Sequence, residues 1–361
     1  MTRKITLLLL VTFCVLSHAQ DELVLPYNAT TLTEEQRALN PTYLAYPTAM
    51  ADEIPAQQCG NYTPRPFTVN ENGDQVYFSP GNLQYNAALG SHLCADGTTQ
   101  PGTWRFAENQ WDYVGNADYG NVYWNGVKCD NLLISETYDG WIDLFGWGTS
   151  GWDSEAKAYQ PWSVSTNPED YRPKNCGNCS LSSSYSVSWV YADWGQYNTI
   201  DDYAIGEWRM IKQAELSYIM MHNKWCLANV NGTNGIILFC DNFVAPEELT
   251  IEYNGFNNFN YNFFTDSQWQ ILGKLGAVFL PEAGRRDSVT DFNNSMGYWL
   301  PEGTEKRIPN PYEHWYDYEY RAGCFRAGRI YNSNGAYVNY DFSVDFLRSV
   351  GFSVRLVKDV R

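Results

Sequence analysis

The sequence predicts an α+β domain built from many short strands, about two main helices and long ordered loops. From Cys59 onward, Gly, Asn, Asp and Ser interrupt short apolar runs, a pattern typical of short strands joined by loops. Near the C-terminus, Phe352, Val354 and Leu356 alternate with polar residues, as in a strand with one buried face. Two further segments have helical periodicity, and helices placed among many strands define the α+β class.

The first predicted helix covers residues 211–222. Ile211, Ala214, Tyr218 and Ile219 are expected on its buried face because their spacing follows the helical repeat. Lys212, Gln213 and Glu215 are expected on the opposite face.

The second predicted helix runs from about 267 to 273. Thr265 and Gln268 have the spacing of a capping box at its start. Trp269 and Leu272 are expected on its buried face. Additional strands are predicted at 75–78, 104–106 and 234–240.

Residues 1–19 have the pattern of a secretory signal peptide. Arg3 and Lys4 precede an apolar segment at 5–16, and small residues flank the expected cleavage site before Gln20. This apolar segment is shorter than the roughly 18 residues needed to span a bilayer. We therefore expect an exported chain with no membrane span after cleavage, located at the cell surface, in the periplasm or in the medium.

Composition divides the chain after the leader into a short first segment and a large domain. Residues 20–58 contain four prolines and are interpreted as a lead-in segment. Residues 59–361 are predicted to form a single domain. Its segment at about 155–200 is rich in Ser, Tyr and Asn and poor in aliphatic residues, which favours a loop insertion.

Charge limits the range of partners. The chain has 24 basic and 41 acidic residues, a net charge of −17. Loss of Arg3 and Lys4 with the leader leaves 22 basic residues and a net charge of −19. Such a surface repels phosphate backbones, so no nucleic acid is expected as a partner.

Cleavage also removes Cys14 and leaves eight of the nine cysteines, an even number that favours disulfide bonds in an exported protein. These disulfide candidates are Cys59, Cys94, Cys129, Cys176, Cys179, Cys226, Cys240 and Cys324. The connectivity is open; local spacing favours the pairs Cys94–Cys129, Cys176–Cys179 and Cys226–Cys240. A four-cysteine zinc site is the alternative, but it usually needs two CxxC pairs and the sequence has one.

Aromatic-glycine motifs recur along the chain, at 76–85, 104–113, 140–151, 193–195, 208–209, 277–281 and 353–357. In wording and order they resemble the Fibrobacter succinogenes major paralogous domain family of exported Bacteroidetes and Fibrobacter proteins. The resemblance covers about residues 66–359. It implies export and brings no assigned catalytic residues.

That family resembles, more distantly, the C-type-lectin-like fold in its formylglycine-generating-enzyme branch. There a Trp-Arg phrase precedes a helix and a Gly-Phe-Arg strand closes the domain. Here Trp208-Arg209 and Gly351-Phe352 occupy those places. The resemblance therefore implies a C-type-lectin-like domain, and it implies fold and not activity.

This sequence lacks the residues that carry the metal and redox chemistry of that branch. Formylglycine-generating enzymes use a reactive cysteine pair, whereas Cys324 has no neighbouring cysteine. Related sulfoxide synthases bind iron through three histidines. The histidines that follow the leader, His92, His222 and His314, are not at paired ligand spacing.

Binding is the function that the composition favours. Aromatic residues are 16% of the chain, and exposed rings of this kind stack on sugars or fill pockets of a protein partner. Most are expected in the core. The candidates lie in Gly/Ser-rich stretches or in a predicted loop at 298–320: Trp147, Trp152, Trp162, Trp194, Trp299, Trp315 and Tyr316.

Two other kinds of site remain open. A glycosidase needs two carboxylates across a cleft, and Asp143, Asp153 and Glu282 lie in or beside the motifs without any sign of pairing. Asx-rich loops at 130–131, 201–202 and 291–294 have the oxygen ligands of a structural calcium ion, although turns are the commoner use of such residues.

These observations predict an exported, non-catalytic binding module for a glycan or a surface protein, with no required cofactor. A carbohydrate-active hydrolase with two carboxylates is the first alternative. A structural or adhesive component of the envelope is the second.

Overall fold

A computed structural model describes residues 62–113, 140–151, 193–253, 262–287, 290–292, 296–309, 316–332, 335–348 and 350–360. The predicted signal peptide and lead-in segment lie outside these ranges, as do residues 155–192 of the predicted insertion. Within the described residues the α+β class is confirmed, with fifteen strands and three helices. No helix in these ranges is long and apolar enough to cross a membrane.

The helices of the described part are α1 (Trp194–Tyr197), α2 (Gln213–His222) and α3 (Asp266–Lys274). The strands are β1 (Phe67–Thr68), β2 (Gln75–Phe78), β3 (Leu83–Leu93), β4 (Thr99–Phe106), β5 (Arg209–Met210), β6 (Trp225–Val230), β7 (Thr233–Leu238), β8 (Asn262–Phe264), β9 (Val278–Pro281), β10 (Arg285–Asp287), β11 (Thr290–Phe292), β12 (Met296–Pro309), β13 (Tyr316–Asn332), β14 (Gly335–Leu347) and β15 (Leu356–Asp359).

Two four-stranded sheets and one three-stranded sheet form the framework. The first has the order β1-β2-β15-β5, so the last strand of the chain pairs between early and central strands. The second has the order β8-β6-β7-β9, in which β6 and β8 are parallel and the other pairs are antiparallel. The third is the antiparallel sheet β12-β13-β14, and two further pairs, β3-β4 and β10-β11, complete the described strands.

Helix α2 confirms the first predicted helix and part of its predicted buried face, since Ile211 and Ile219 are buried. Leu216, Ile219 and Met220 are in the core, whereas Ala214 is exposed and Tyr218 is half-buried. The helix begins two residues later than predicted, so the buried face is set by the 216, 219 and 220 positions.

Helix α3 confirms the second prediction. The Thr265 hydroxyl accepts the N–H of Gln268, and the Gln268 side chain accepts the N–H of Thr265 at 2.9 Å. Trp269 and Leu272 are buried, as the helical spacing predicts. The capping box therefore fixes the start of the helix, because it satisfies two backbone donors that have no partner within the helix.

The alternation near the C-terminus predicted a half-buried strand, and this prediction is wrong. Ser353 and Arg355 are buried along with their apolar neighbours, and the regular strand begins only at Leu356. Arg355 is tolerated in the interior because its guanidinium donates to the Gln110 side chain at 2.8 Å.

The segment predicted as the end of an insertion belongs to the core. Trp194 and Ile200 are buried, and the Asp193 carboxylate accepts the N–H groups of Gly195 at 2.9 Å and of Met210 at 2.8 Å. Asp193 thus caps α1 and attaches it to β5. This segment has few aliphatic residues because its aromatic side chains provide its contribution to the core.

The predicted loop at 298–320 is also different in the structure. Its described residues belong to β12 and β13, which pair from Met296↔Ala327 to Pro309↔Tyr316 with an irregularity between Trp299 and Gly303. A long antiparallel pair replaces the expected loop.

Candidate functional site

The described residues place one large aromatic side chain on the outer surface of the second sheet. Phe263 is 74% exposed, while Asn262 and Phe264 on either side of it in β8 are buried. This alternation follows from the strand geometry, in which successive side chains point to opposite faces. Phe263 therefore presents its ring outward from an edge strand that is anchored by both neighbours.

The anchoring on the N-terminal side is specific. The Asn262 amide donates to the carbonyls of Leu227 and Glu252, both at 3.0 Å, and its oxygen accepts the N–H of Glu252 at 2.8 Å. One side chain thus connects β8 with β6 and with the 251–253 segment, and this holds the backbone of Phe263 in place.

Two asparagines continue the row from Phe263 across the sheet. The register pairs Phe263 with Asn229 on β6, and pairs Asn229 with Asn234 on β7. Asn229 donates to the Asn234 side chain at 2.8 Å. Because neighbouring strands lie about 4.8 Å apart, the row extends over about 10 Å.

The β6–β7 turn borders this row. Asn231 and Gly232 have φ angles of 49° and 89°, the left-handed pair that a two-residue hairpin of the I′ type requires. The Gly232 N–H donates to the Asn229 side chain at 3.0 Å, and the Asn231 N–H donates to the carbonyl of Phe264 at 2.9 Å. These two bonds hold the turn next to the end of β8.

Phe263, Asn229 and the turn line a shallow surface depression of about 310 Å³, and Asn234 lies beside Asn229 at the end of the row. The lining residues of the depression are Asn229, Asn231, Gly232, Phe263, Phe264 and Thr265. The volume is at the lower end of the range for small-molecule sites, enough for one or two sugar rings and too small for a large cofactor.

The lining offers hydrogen bonds and an apolar face without charge. In the described part of the chain, Asn229 donates one amide N–H to the oxygen of the adjacent Asn234, and its own oxygen accepts the Gly232 N–H. The second amide N–H of Asn229 and the amide group of Asn234 beside the depression can donate to a ligand. The Thr265 hydroxyl is engaged at the start of α3. This combination can stack a flat apolar surface and bind hydroxyl groups at its edge, and it contains no acid–base pair.

Three of the predicted ligand-binding tryptophans are core residues in the structure, which corrects the sequence-based interpretation. Trp147, Trp194 and Trp299 are at most 2% exposed. The indole of Trp147 donates to the carbonyl of Leu300 at 2.7 Å, and that of Trp299 to the carbonyl of Phe145 at 2.6 Å. Their rings fill the interior and have no face available to a ligand.

The other predicted aromatic candidates are not brought to the Phe263 surface by any described contact. Trp152, Trp162 and Trp315 lie outside the described residues. Tyr316 is the first residue of β13, where its backbone pairs with Pro309 of β12.

Four of the eight disulfide candidates are described, and all four are buried free thiols: Cys94, Cys226, Cys240 and Cys324. The predicted bond between Cys226 and Cys240 is therefore not formed. Burial raises the pKa of all four thiols, to about 12 for Cys240. The free thiol of Cys94 likewise contradicts the predicted Cys94–Cys129 bond. Cys59, Cys129, Cys176 and Cys179 lie outside the described residues, and with them the predicted pair Cys176–Cys179.

The candidate acids and metal ligands are dispersed. Asp143 is fully buried, and Glu282 is half-buried next to Asn234, whose carbonyl accepts its N–H at 2.7 Å. Asp201 accepts the N–H of Phe106 at 2.9 Å, the turn role that was the commoner expectation. Among the described residues there is no group of three His, Cys, Asp or Glu side chains placed to hold a metal ion.

The sequence contains one local signal for this site, the turn between β6 and β7. The dipeptide Asn231-Gly232 between two apolar segments predicts a tight hairpin. Nothing in the Phe263-Phe264 pair shows which ring points outward, because both are equally apolar. Comparisons of the chain with known protein families, with curated proteins and with solved structures gave no match.

Proposed function

We propose that this chain is an exported, non-catalytic binding module that recognises a glycan through the outer face of the β8-β6-β7-β9 sheet. The observation that carries the proposal is the row formed by Phe263, Asn229 and Asn234. An exposed ring beside amide groups matches a sugar, which has apolar C–H faces and hydroxyl groups around its rim.

Rigidity supports this assignment. The Phe263 backbone is held by Asn262, and the turn is held by bonds from Asn231 and Gly232. A platform fixed before binding loses little conformational entropy when a ligand docks, which matters for a shallow site with few contacts.

The hydrolase alternative fits this surface less well. Glycosidases place two carboxyl groups across a cleft, whereas the lining of the depression is uncharged. A protein ligand would be expected to cover a much larger apolar area than one ring.

As part of the same proposal, the domain belongs to the Fibrobacter succinogenes major paralogous domain family and has a C-type-lectin-like fold. Two features support this. The motif Trp208-Arg209 directly precedes α2, and the C-terminal strand β15 lies between β2 and β5 in the first sheet.

A polysaccharide binding screen tests the proposal. The protein is run through native gels that contain single soluble polysaccharides, and retardation is measured. The wild type and Phe263→Tyr, which keeps the ring, should be retarded by the same polysaccharides, whereas Phe263→Ala should migrate freely.

The matched control is Val244→Ala. Val244 is 73% exposed, close to the 74% of Phe263, but it does not line the depression. Unchanged retardation of Phe263→Ala would place the glycan-binding surface elsewhere on the protein. Equal loss of retardation in Val244→Ala would remove the evidence for specific glycan binding at the depression.

A further inference from the structure

We infer, on the basis of the proposed function, that the ligand is a neutral hexopyranose glycan and that acidic glycans are excluded. The inference rests on the charges around the depression. Its six lining residues include no Lys or Arg, so nothing there attracts a sugar carboxylate or sulfate.

Two exposed carboxylates lie on segments that adjoin β8. Asp266 follows Thr265 as the first residue of α3, and its side chain is exposed. Glu252 is exposed on the segment that Asn262 holds against β8. Both carboxylates add negative charge close to β8, which disfavours the binding of an anionic sugar on Phe263.

The hydrogen-bonding groups point to the same class. The amide groups of Asn229 and Asn234 are neutral donors, which suit the oxygen atoms of hydroxyl groups. Proteins that select carboxylates or sulfates use Arg or Lys, whose charge-assisted bonds are about twice as strong as neutral ones. The net charge of −17 on the whole chain adds a long-range repulsion of anions.

The shape of the site favours a flat sugar face. A hexopyranose whose ring C–H bonds point to one side can lie on the Phe263 ring with its hydroxyl groups toward the asparagines. The row of about 10 Å matches a chain of two linked sugars that crosses the strands. A shallow, open depression does not require a chain end, so internal residues of a polymer can bind.

The experiment compares β-1,4-mannohexaose with the β-1,4-mannuronate hexamer. The two probes share linkage and ring configuration and differ in the carboxylate at C6. Binding to the wild type and to Phe263→Ala is measured by ligand-observed NMR at low ionic strength, where the Debye length is about 30 Å. A second pair, cellohexaose and its C6-oxidised glucuronate form, repeats the comparison for another ring configuration.

We expect at least one neutral hexamer to bind to the wild type, and we expect Phe263→Ala to lower the affinity for that hexamer by about tenfold or more. The matching uronate should bind at least about tenfold more weakly than its neutral partner. The double variant Glu252→Gln, Asp266→Asn should narrow that difference, as should 0.15 M salt, because both reduce the repulsion.

The outcomes separate the two proposals. Equal, Phe263-dependent binding of the neutral and acidic hexamers would overturn the neutral-glycan inference and leave the glycan-binding module standing. Stronger, Phe263-dependent binding of the uronate would also overturn the neutral-glycan inference and leave the glycan-binding module standing. No Phe263-dependent binding of any probe would overturn both.

Discussion

The guanidinium of Arg209 forms a two-point ion pair with the carboxylate of Glu215, with N–O distances of 2.8 and 2.9 Å. Arg209 also donates to Asp359 at the end of β15, and Glu215 accepts the N–H of Lys212 at the start of α2 at 2.9 Å. Through Glu215 and Asp359, the Arg209 side chain thus joins β5 to both α2 and β15. The Trp-Arg motif of the sequence therefore has a structural role.

Replacement of Arg209 by Met should destabilise the domain strongly. The Arg209 and Glu215 side chains are 8% and 11% exposed, so the variant removes the hydrogen-bonded cation of a largely buried carboxylate and leaves only the Lys212 ammonium at 3.8 Å. We expect the free energy of unfolding to fall by about 3–5 kcal/mol in chemical denaturation.

The control for this prediction is Glu207→Gln. Glu207 pairs with Lys358 at 3.0 Å, but both side chains are about a third exposed. Its loss should cost less than about 1 kcal/mol because water screens such a pair. Similar losses in the two variants would show that the Arg209 pair does not join the elements as described.

Gly195→Ala should destabilise the domain, against the usual preference for Ala in helices. A Cβ atom at this position would lie 2.3 Å from the backbone carbonyl oxygen of Trp208, which cannot move without displacing β5. Helix propensity alone predicts a gain of up to about 1 kcal/mol. We expect instead a loss of about 1–3 kcal/mol from overpacking, measured as a lower denaturation midpoint. An unchanged or higher midpoint would disprove this close contact between α1 and β5.

Acid should weaken the domain through His92. Its Nδ1 lies 2.9 Å from the carbonyl oxygen of Gly102 and donates to it, so its Nε2 accepts the indole N–H of Trp104 at 3.2 Å. Burial lowers the pKa of this imidazole. The unfolded state therefore binds the proton more readily, and the free energy of unfolding should decrease as the pH falls below about 6.5.

The matched variant for that measurement is His92→Gln. A Gln amide can donate and accept at the same two positions but does not titrate in this range. Between pH 7.5 and 5, urea denaturation should show a larger loss of stability in the wild type than in the variant. Parallel losses would assign the acid sensitivity to other groups.

The fold was predictable from the sequence where the signals are local. The capping box of Thr265 and Gln268 and the strand at 75–78 occur as expected, because short-range hydrogen bonds determine the first and a run of residues that favour strands determines the second. The strand predicted at 352–356 failed because tertiary contacts decide the result there. Arg355 is buried through its bond to Gln110, which is distant in sequence.

The candidate site was less predictable. Trp147 and Trp194 are next to glycines, and such neighbours predict exposed loops. In the structure Gly195 instead allows α1 to lie close against the backbone of Trp208, which has no room for a larger residue there. The position of Phe263 depends on its pairing with Asn229, and a parallel pair of strands distant in sequence leaves no local pattern.

The most direct test of the account is an amide NMR titration of the protein with β-1,4-mannohexaose and cellohexaose. We predict that the side-chain amide signals of Asn229 and Asn234 and the backbone signal of Phe263 shift with one common dissociation constant. In Phe263→Ala these shifts should require about tenfold more sugar. Shifts confined to other residues, or shifts that persist unchanged in Phe263→Ala, would contradict glycan recognition by this face of the sheet.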